Sequence, residues 1–153
     1  MATGRTVKKF TAFLVDDSGG TLRNIKVDSI NGVGLTFPEE DLTAFTDAIM
    51  GVLSGTPDCQ IAITGPLDNT AATGNHIVLN GIAGGVTPLS LDVQVGIQAA
   101  WTAGDPQFGI TSSAVNGFLC TEYILNPDNM RISAKFRMFP GSIAPAWGVA
   151  AET

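Results

Sequence analysis

At 153 residues the chain is long enough for one domain with a real core, yet only 14% of its side chains are charged against 44% hydrophobic. A soluble domain ordinarily carries about 25% charged residues, so the shortfall points to surface buried against other copies. The net charge of −6 argues against tight binding to nucleic-acid phosphates, which needs clustered Lys and Arg; the basic groupings are just Lys8-Lys9 and Arg131/Lys135/Arg137.

In chain order, residues 1–7 read as a short N-terminal arm. The N-terminus MATGRTVKK lacks the apolar stretch of a signal peptide, and no apolar run reaches the roughly 18 residues of a membrane span, so neither is expected. "KKFTAFLVDDSGGTLRNIKVDSI" has two β-rich runs around Asp17-Ser18-Gly19-Gly20, a hairpin signal because Gly supplies the positive φ of tight turns. Phe10, Ala12 and Leu14 share one face, Ile25 and Val27 a face of the return strand. Residues 32–58 form a long loop in which Leu42, Phe45, Ile49 and Leu53 have partly helical spacing, while Thr, Phe and Ile suit extended chain; both readings stand.

"CQIAITGPL" predicts a strand with Ile61 and Ile63 on one face. "GNHIVLNGIAGG" predicts a short helix capped by Asn75, stopped by Gly84-Gly85, with Leu79, Ile82 and Ala83 as its apolar stripe. In "PLSLDVQVGIQ" Leu89, Leu91, Val93, Val95 and Ile97 alternate with Ser90, Asp92, Gln94, Gly96 and Gln98, which predicts one dry and one polar face. "NGFLCTEYILN" and "MRISAKFRMF" are further strands joined by Pro127-Asp128-Asn129, the second with Ile132, Ala134, Phe136 and Met138 inward. Residues 140–153, with two Pro and two Gly, read as a C-terminal arm. The sum is a mainly β chain of about six to eight strands: an antiparallel β-sandwich or open barrel with one short flanking helix, in a single domain over 1–153.

Candidate chemistry is sparse. His76 is the only histidine; with no Cys cluster or GxSxG elbow it reads as a locally bonded residue at a helix start rather than a catalyst or ligand. "GIAGG" follows a helix and lacks the GK[ST] ending of a P-loop, so it reads as a C-cap. Cys59 and Cys120 read as two buried free thiols, with a disulfide between them as the alternative. Asp16-Asp17 sits in a predicted turn. Glu39, Glu40 and Asp41, in the long loop, read as solvated or inter-subunit charge. Phe45, Trp101, Phe108 and Trp147 read as aromatic anchors for subunit packing. No catalytic, cofactor-binding or metal-binding residue is assigned; an enzyme is not expected.

The segment "EEDLTAFTDAIMGVLSGTPDCQIAITGPLDNTAATGNHIVLNGIAGG" resembles the central part of the major tail tube proteins of long-tailed bacteriophages. The matching pieces are Asp41 to Asp47, Gly55 to Asp58, Ile61 to Gly65, Asp68, and His76 to Gly85, with "FLCTEYILN" and "MRISAKFRMF" resembling the last strand pair. The resemblance implies a virion structural protein, made in the host cytoplasm, whose hexameric rings stack into a hollow tube, the inner strands joining into one barrel. It implies that the long loop and both arms bridge rings, that tape-measure and tail-terminator or baseplate proteins are partners, and that an acidic lumen lets viral DNA slide through without specific binding or a membrane partner. Low charge, a sandwich and arms also suit a second arrangement, a capsid decoration or cement protein that clamps capsid subunits as a trimer.

Overall fold

The computed structural model describes residues 11–95 and 106–148. In chain order its elements are β1 (Ala12–Asp16), β2 (Leu22–Ile25), β3 (Ser29–Asn31), β4 (Glu39–Asp41), β5 (Val52–Ser54), β6 (Gln60–Pro66), α1 (Asn75–Ile82), β7 (Leu91–Gln94), β8 (Gln107–Ile110), β9 (Phe118–Asn126), β10 (Arg131–Met138) and β11 (Ala146–Trp147). Two antiparallel sheets face each other, one ordered β11-β8-β7-β1-β2 and the other β3-β6-β10-β9, while β4 and β5 pair apart as a hairpin. The fold is mainly β with one short helix, and the strands outnumber the expected six to eight because the long loop and the tail also contribute some.

The core is the space between the sheets. Phe13, Val15, Ile25, Leu91, Val93 and Phe108 come from the first sheet; Ile61, Ile63, Phe118, Ile132, Ala134 and Phe136 come from the second. The alternation of β6 and β10 puts their apolar rows inward as expected. Phe13 meets Phe136 across the gap at 5.6 Å between ring centroids. A bridge between Leu89 and Phe118 stitches the two sheets at one corner. Helix α1 closes the side beside β9 and β2 with Val78, Leu79 and Ile82.

The β1–β2 turn forms where the glycines predict it. Asp17 organises it: its carboxylate accepts from the backbone N–H of Gly19 and Thr21 and from Arg23 Nε, each at 2.9 Å. Partial burial pushes the Asp17 carboxyl up, but these bonds outweigh it and hold it below the usual carboxylate range. The core face of β1 is nevertheless the opposite one, since Phe13 and Val15 are fully buried and Ala12 and Leu14 are not. Phe10 lies outside the described residues.

Several expected boundaries shift. The cap of α1 is Gly74, which makes no side-chain cap bond; Asn75 is inside the helix and completely buried, and Ala83 is exposed. Strand β7 is shorter than its alternation suggests, and its second face is not wet: Asp92 is 0% exposed and Ser90 is also buried. Gly96, Ile97 and Gln98 lie outside the described residues. A bulge sets Thr121 between the pairs Cys120–Phe136 and Glu122–Lys135. It shifts the inward phase of β9 from Phe118 and Cys120 to Tyr123. The tail is not wholly an arm, because β11 is an edge strand on β8; residues 149–153 and the arm 1–7 lie outside the described residues.

Candidate functional site

Residues 32–58 fold as a β-hairpin arm carried by the second sheet. β3 leads into it and β6 receives the chain. Its root is Gly32, at φ +84°, where a Cβ would collide with the carbonyl oxygen of Gln60. Only glycine fits this turn out of the sheet. Thr36 and Asp58 then exchange two backbone hydrogen bonds of 2.8 Å, and β4 pairs with β5 through Glu39–Ser54, Glu40–Leu53 and Asp41–Val52. The tip is held by polar residues: Asp41 accepts from the Thr43 N–H at 2.9 Å, Thr43 Oγ1 accepts from the Gly51 N–H at 2.9 Å, and Asp47 accepts from the Ala44 N–H at 2.8 Å. The Thr43 hydroxyl and N–H hold the Asp41 carboxyl below the usual carboxylate range.

What the arm presents is apolar. Phe45 is fully exposed, as are most of Ile49 and Met50, and Phe37, Leu42, Val52 and Leu53 are each more than 40% exposed. A monomer normally scatters such residues singly; this segment concentrates them on one projection. Glu39, Glu40 and Asp41 are exposed on β4. Successive strand residues point to opposite faces, so the three carboxylates do not converge on one point. Among the described residues no group of three His, Cys, Asp or Glu side chains could hold a metal ion.

The other anticipated contact residues separate. Trp147 is 54% exposed and lies over Phe108, with ring centroids 5.0 Å apart. Phe108, expected at a subunit contact, has no exposed surface: it is a core residue of β8 beneath Trp147. A Cβ added to Gly34 would lie 3.9 Å from the Trp147 ring, so the tail strand runs beside the place where the hairpin leaves the sheet. Trp101 lies outside the described residues.

His76 is not a solitary local residue. Its Nδ1 lies 2.7 Å from the Tyr123 hydroxyl, tying α1 to β9. Cys59 and Cys120 are buried free thiols, both pushed up to about 11 by burial, and Cys59 also by the neighbouring Asp58 carboxylate. A thiolate is the reactive form, so neither cysteine should label with a maleimide in the native protein at neutral pH, and both should label in denaturant; a mass shift on native protein would contradict this burial.

Sequence reasoning missed the core position of Phe108, because its loop neighbours look exposed and its cover comes from a residue far along the chain. It also left the arm's secondary structure open. The turn-forming signals were present there: Gly51 and Gly55 near the second strand and Asp47 at the tip.

Among solved structures the chain is similar to a chain of the anti-feeding prophage baseplate, with a TM-score of 0.66 at 7% identity over 100% of both chains. It is similar to a chain of the anti-feeding prophage tube-terminating cap, with a TM-score of 0.63 at 8% identity, covering 98% of this chain and 95% of that one. A chain of the sheath–tube complex of an extracellular contractile injection system, PVC, gives 0.61 at 9% identity over 95% and 93%. No protein-family model matches the chain, and no curated protein matches its sequence. No helix among the described residues is long and apolar enough to cross a membrane. Across nearly its whole length, the chain therefore shares the fold of subunits in the baseplate, cap and sheath–tube structures of contractile injection systems.

Proposed function

We propose that this protein is a structural subunit of a phage-like tail, which assembles into hexameric rings stacked as a hollow tube. The observation that carries the reading is the hairpin arm: a defined two-stranded lever whose apolar residues stay largely exposed among the described residues. Docked on the next ring, Phe45, Ile49 and Met50 would be buried, with Glu39, Glu40 and Asp41 at the polar rim. Trp147, half exposed beside the root of the arm, would border the same contact.

The second sheet suits ring closure. Its outer strands are β3 and β9, and pairing β9 of one copy with β3 of the next would leave no open edge in a closed barrel. The outward row of β10 is basic, but each base has an acid: Arg131 with Asp28 at 2.6 Å, Lys135 with Glu122 at 3.5 Å, and Arg137 with Asp58 at 3.1 Å. With this face toward the lumen, weak attraction for phosphate would come from pairing as well as from the net charge of −6. DNA would pass without specific contacts, and tape-measure, terminator and baseplate proteins would be the partners at the tube's interior and ends.

Negative-stain electron microscopy of the purified protein at rising concentration, with mass by light scattering, tests this. Hollow tubes or hexameric rings are expected. A trimer at every concentration would favour the decoration-protein arrangement, and a persistent monomer, alone and with a tape-measure partner, would overturn the proposal.

A further inference from the structure

The second face of the first sheet holds a buried polar pair. Asp92 on β7 and Gln107 on β8 are 0% and 1% exposed. Gln107 Nε2 donates to Asp92 Oδ2, and Gln94 Nε2 donates to the same oxygen at 3.1 Å. The remaining two atoms, Asp92 Oδ1 and Gln107 Oε1, are both buried acceptors with no hydrogen-bond partner. Two orphan acceptors on groups already joined by one bond are a costly arrangement. Neither an ionised carboxylate nor an amide oxygen can donate. One proton removes the conflict.

We propose that Asp92 is held as the neutral acid in the folded subunit, and that Oδ1–H donates to Gln107 Oε1. With the bond from Gln107 Nε2 to Oδ2, this closes a cyclic acid–amide pair that ties β7 to β8 and opens when the proton is lost. The division of labour between the oxygens fits: Oδ2 accepts two amide N–H groups, and Oδ1, which accepts none, carries the proton.

Among the described residues, the surroundings supply no compensating charge. Across from Asp92 stand Leu14 on β1 and Gly109 on β8. A Cβ at Gly109 would press on the Asp92 carboxyl and collide with the Leu91 carbonyl, so the carboxyl packs directly on bare backbone. On the same face lie Ser90 just before β7, Gln94 of β7, Asn24 and Leu22 of β2, and Ala146 of β11, all uncharged. On the same face of β1, two residues from Leu14, stands Asp16, whose Oδ2 accepts from the Ser90 N–H at 2.8 Å and Ser112 Oγ at 3.3 Å. An aspartate there offers Asp92 no counter-ion. Burial pushes the Asp92 carboxyl up, and the amide bonds from Gln94 and Gln107 offset this only in part.

The linkage has a definite sign. Below the ordinary carboxylate range, folded and unfolded chains both hold the proton. Above it the unfolded chain releases the proton first, so stability falls as pH rises until the folded group itself titrates.

The test is a carboxyl ¹³C titration of the wild-type protein, with Asp92 assigned through its backbone, so that no variant needs to fold. Asp92 should remain in its protonated position at a pH where aspartates freely exposed to water have ionised. In parallel, Asp92→Asn supplies a permanent N–H donor in the place of the acid O–H. Its thermal midpoint should gain on the wild type by several degrees as pH rises from the ordinary carboxylate range to the pH at which folded Asp92 titrates. An Asp92 resonance that titrates together with the exposed aspartates, or a midpoint difference between wild type and Asp92→Asn that stays constant with pH, overturns the proposal.

Discussion

On the proposed reading as a tail-tube subunit, replacing Phe45 and Ile49 together with aspartate should give a folded subunit that does not form tubes. Both side chains project from the hairpin tip into open space, so the substitutions touch no contact within the subunit, and surface changes of this kind ordinarily cost within about 0.5 kcal/mol. The circular dichroism spectrum and thermal midpoint should stay near those of the wild type. Assembly is another matter. An apolar anchor at the centre of an interface is worth about 2 kcal/mol, and a charge buried in its place costs more. Two anchors lost per subunit raise the concentration needed for assembly roughly a thousandfold, and every contact around a ring repeats the loss. Electron microscopy and sedimentation at matched concentration read the result. A Phe45→Leu variant, which keeps the apolar surface, should still polymerise. Tubes of normal length from the double aspartate variant would mean that the arm is not the joint.

The parts of this fold that were legible in the sequence are those decided locally. Asp17 followed by two glycines dictates a tight turn whatever surrounds it, and the alternation of β6 and β10 is strict because each has one buried face. What was hidden depends on neighbours distant in the chain. Ser90, Asp92 and Gln94 have the polarity of a solvent face, yet the first two are buried, since burial is set by what packs on a sheet and not by its own pattern. Phe108 reads as a loop aromatic until Trp147, nearly forty residues on, covers it. In β9 the two-residue period breaks at Thr121, and no residue type there announces a bulge.

The arm illustrates a different limit. Leu42, Phe45, Ile49 and Leu53 fall at helical spacing, but a hydrophobic pattern reports secondary structure only when the apolar residues pack on their own domain. These do not, so their spacing follows no internal core. The hairpin is set instead by the backbone pairing of Leu42 N–H with the Gly51 carbonyl, at 2.8 Å, and by the side-chain bonds of Asp41, Thr43 and Asp47. The apolar side chains that the arm exposes are thus plain in the sequence as residue types, while the shape that presents them is not.

Asn75→Ala should cost the subunit about 3–4 kcal/mol, a large loss for one exchange at a residue whose sequence context suggests a mere helix cap. Its side chain is completely buried. Nδ2 donates to the Lys26 carbonyl at 2.9 Å and the Pro66 carbonyl at 2.7 Å, and Oδ1 accepts from the Asp68 N–H at 3.0 Å. One amide therefore pins the chain just after β2, the end of β6 and the loop before α1, three segments that make no sheet bonds to each other there. Truncation leaves three backbone groups without partners, at roughly 1–3 kcal/mol each when fully dry, less whatever water recovers. For a chain of this size the thermal midpoint should fall by roughly 10 °C. Asn75→Asp sharpens the point. A carboxylate still accepts from the Asp68 N–H, but it confronts two carbonyl oxygens and buries a charge, so at neutral pH the loss should exceed that of Asn75→Ala. The introduced acid would have a raised pKa in the folded state. Its penalty therefore grows as pH rises above the ordinary carboxylate range and shrinks as pH falls, when the protonated acid regains one donor. Denaturation of both variants across pH should bring the two stabilities together toward acid. Equal losses at every pH would mean that Asn75 holds these segments by shape alone and not by its hydrogen bonds.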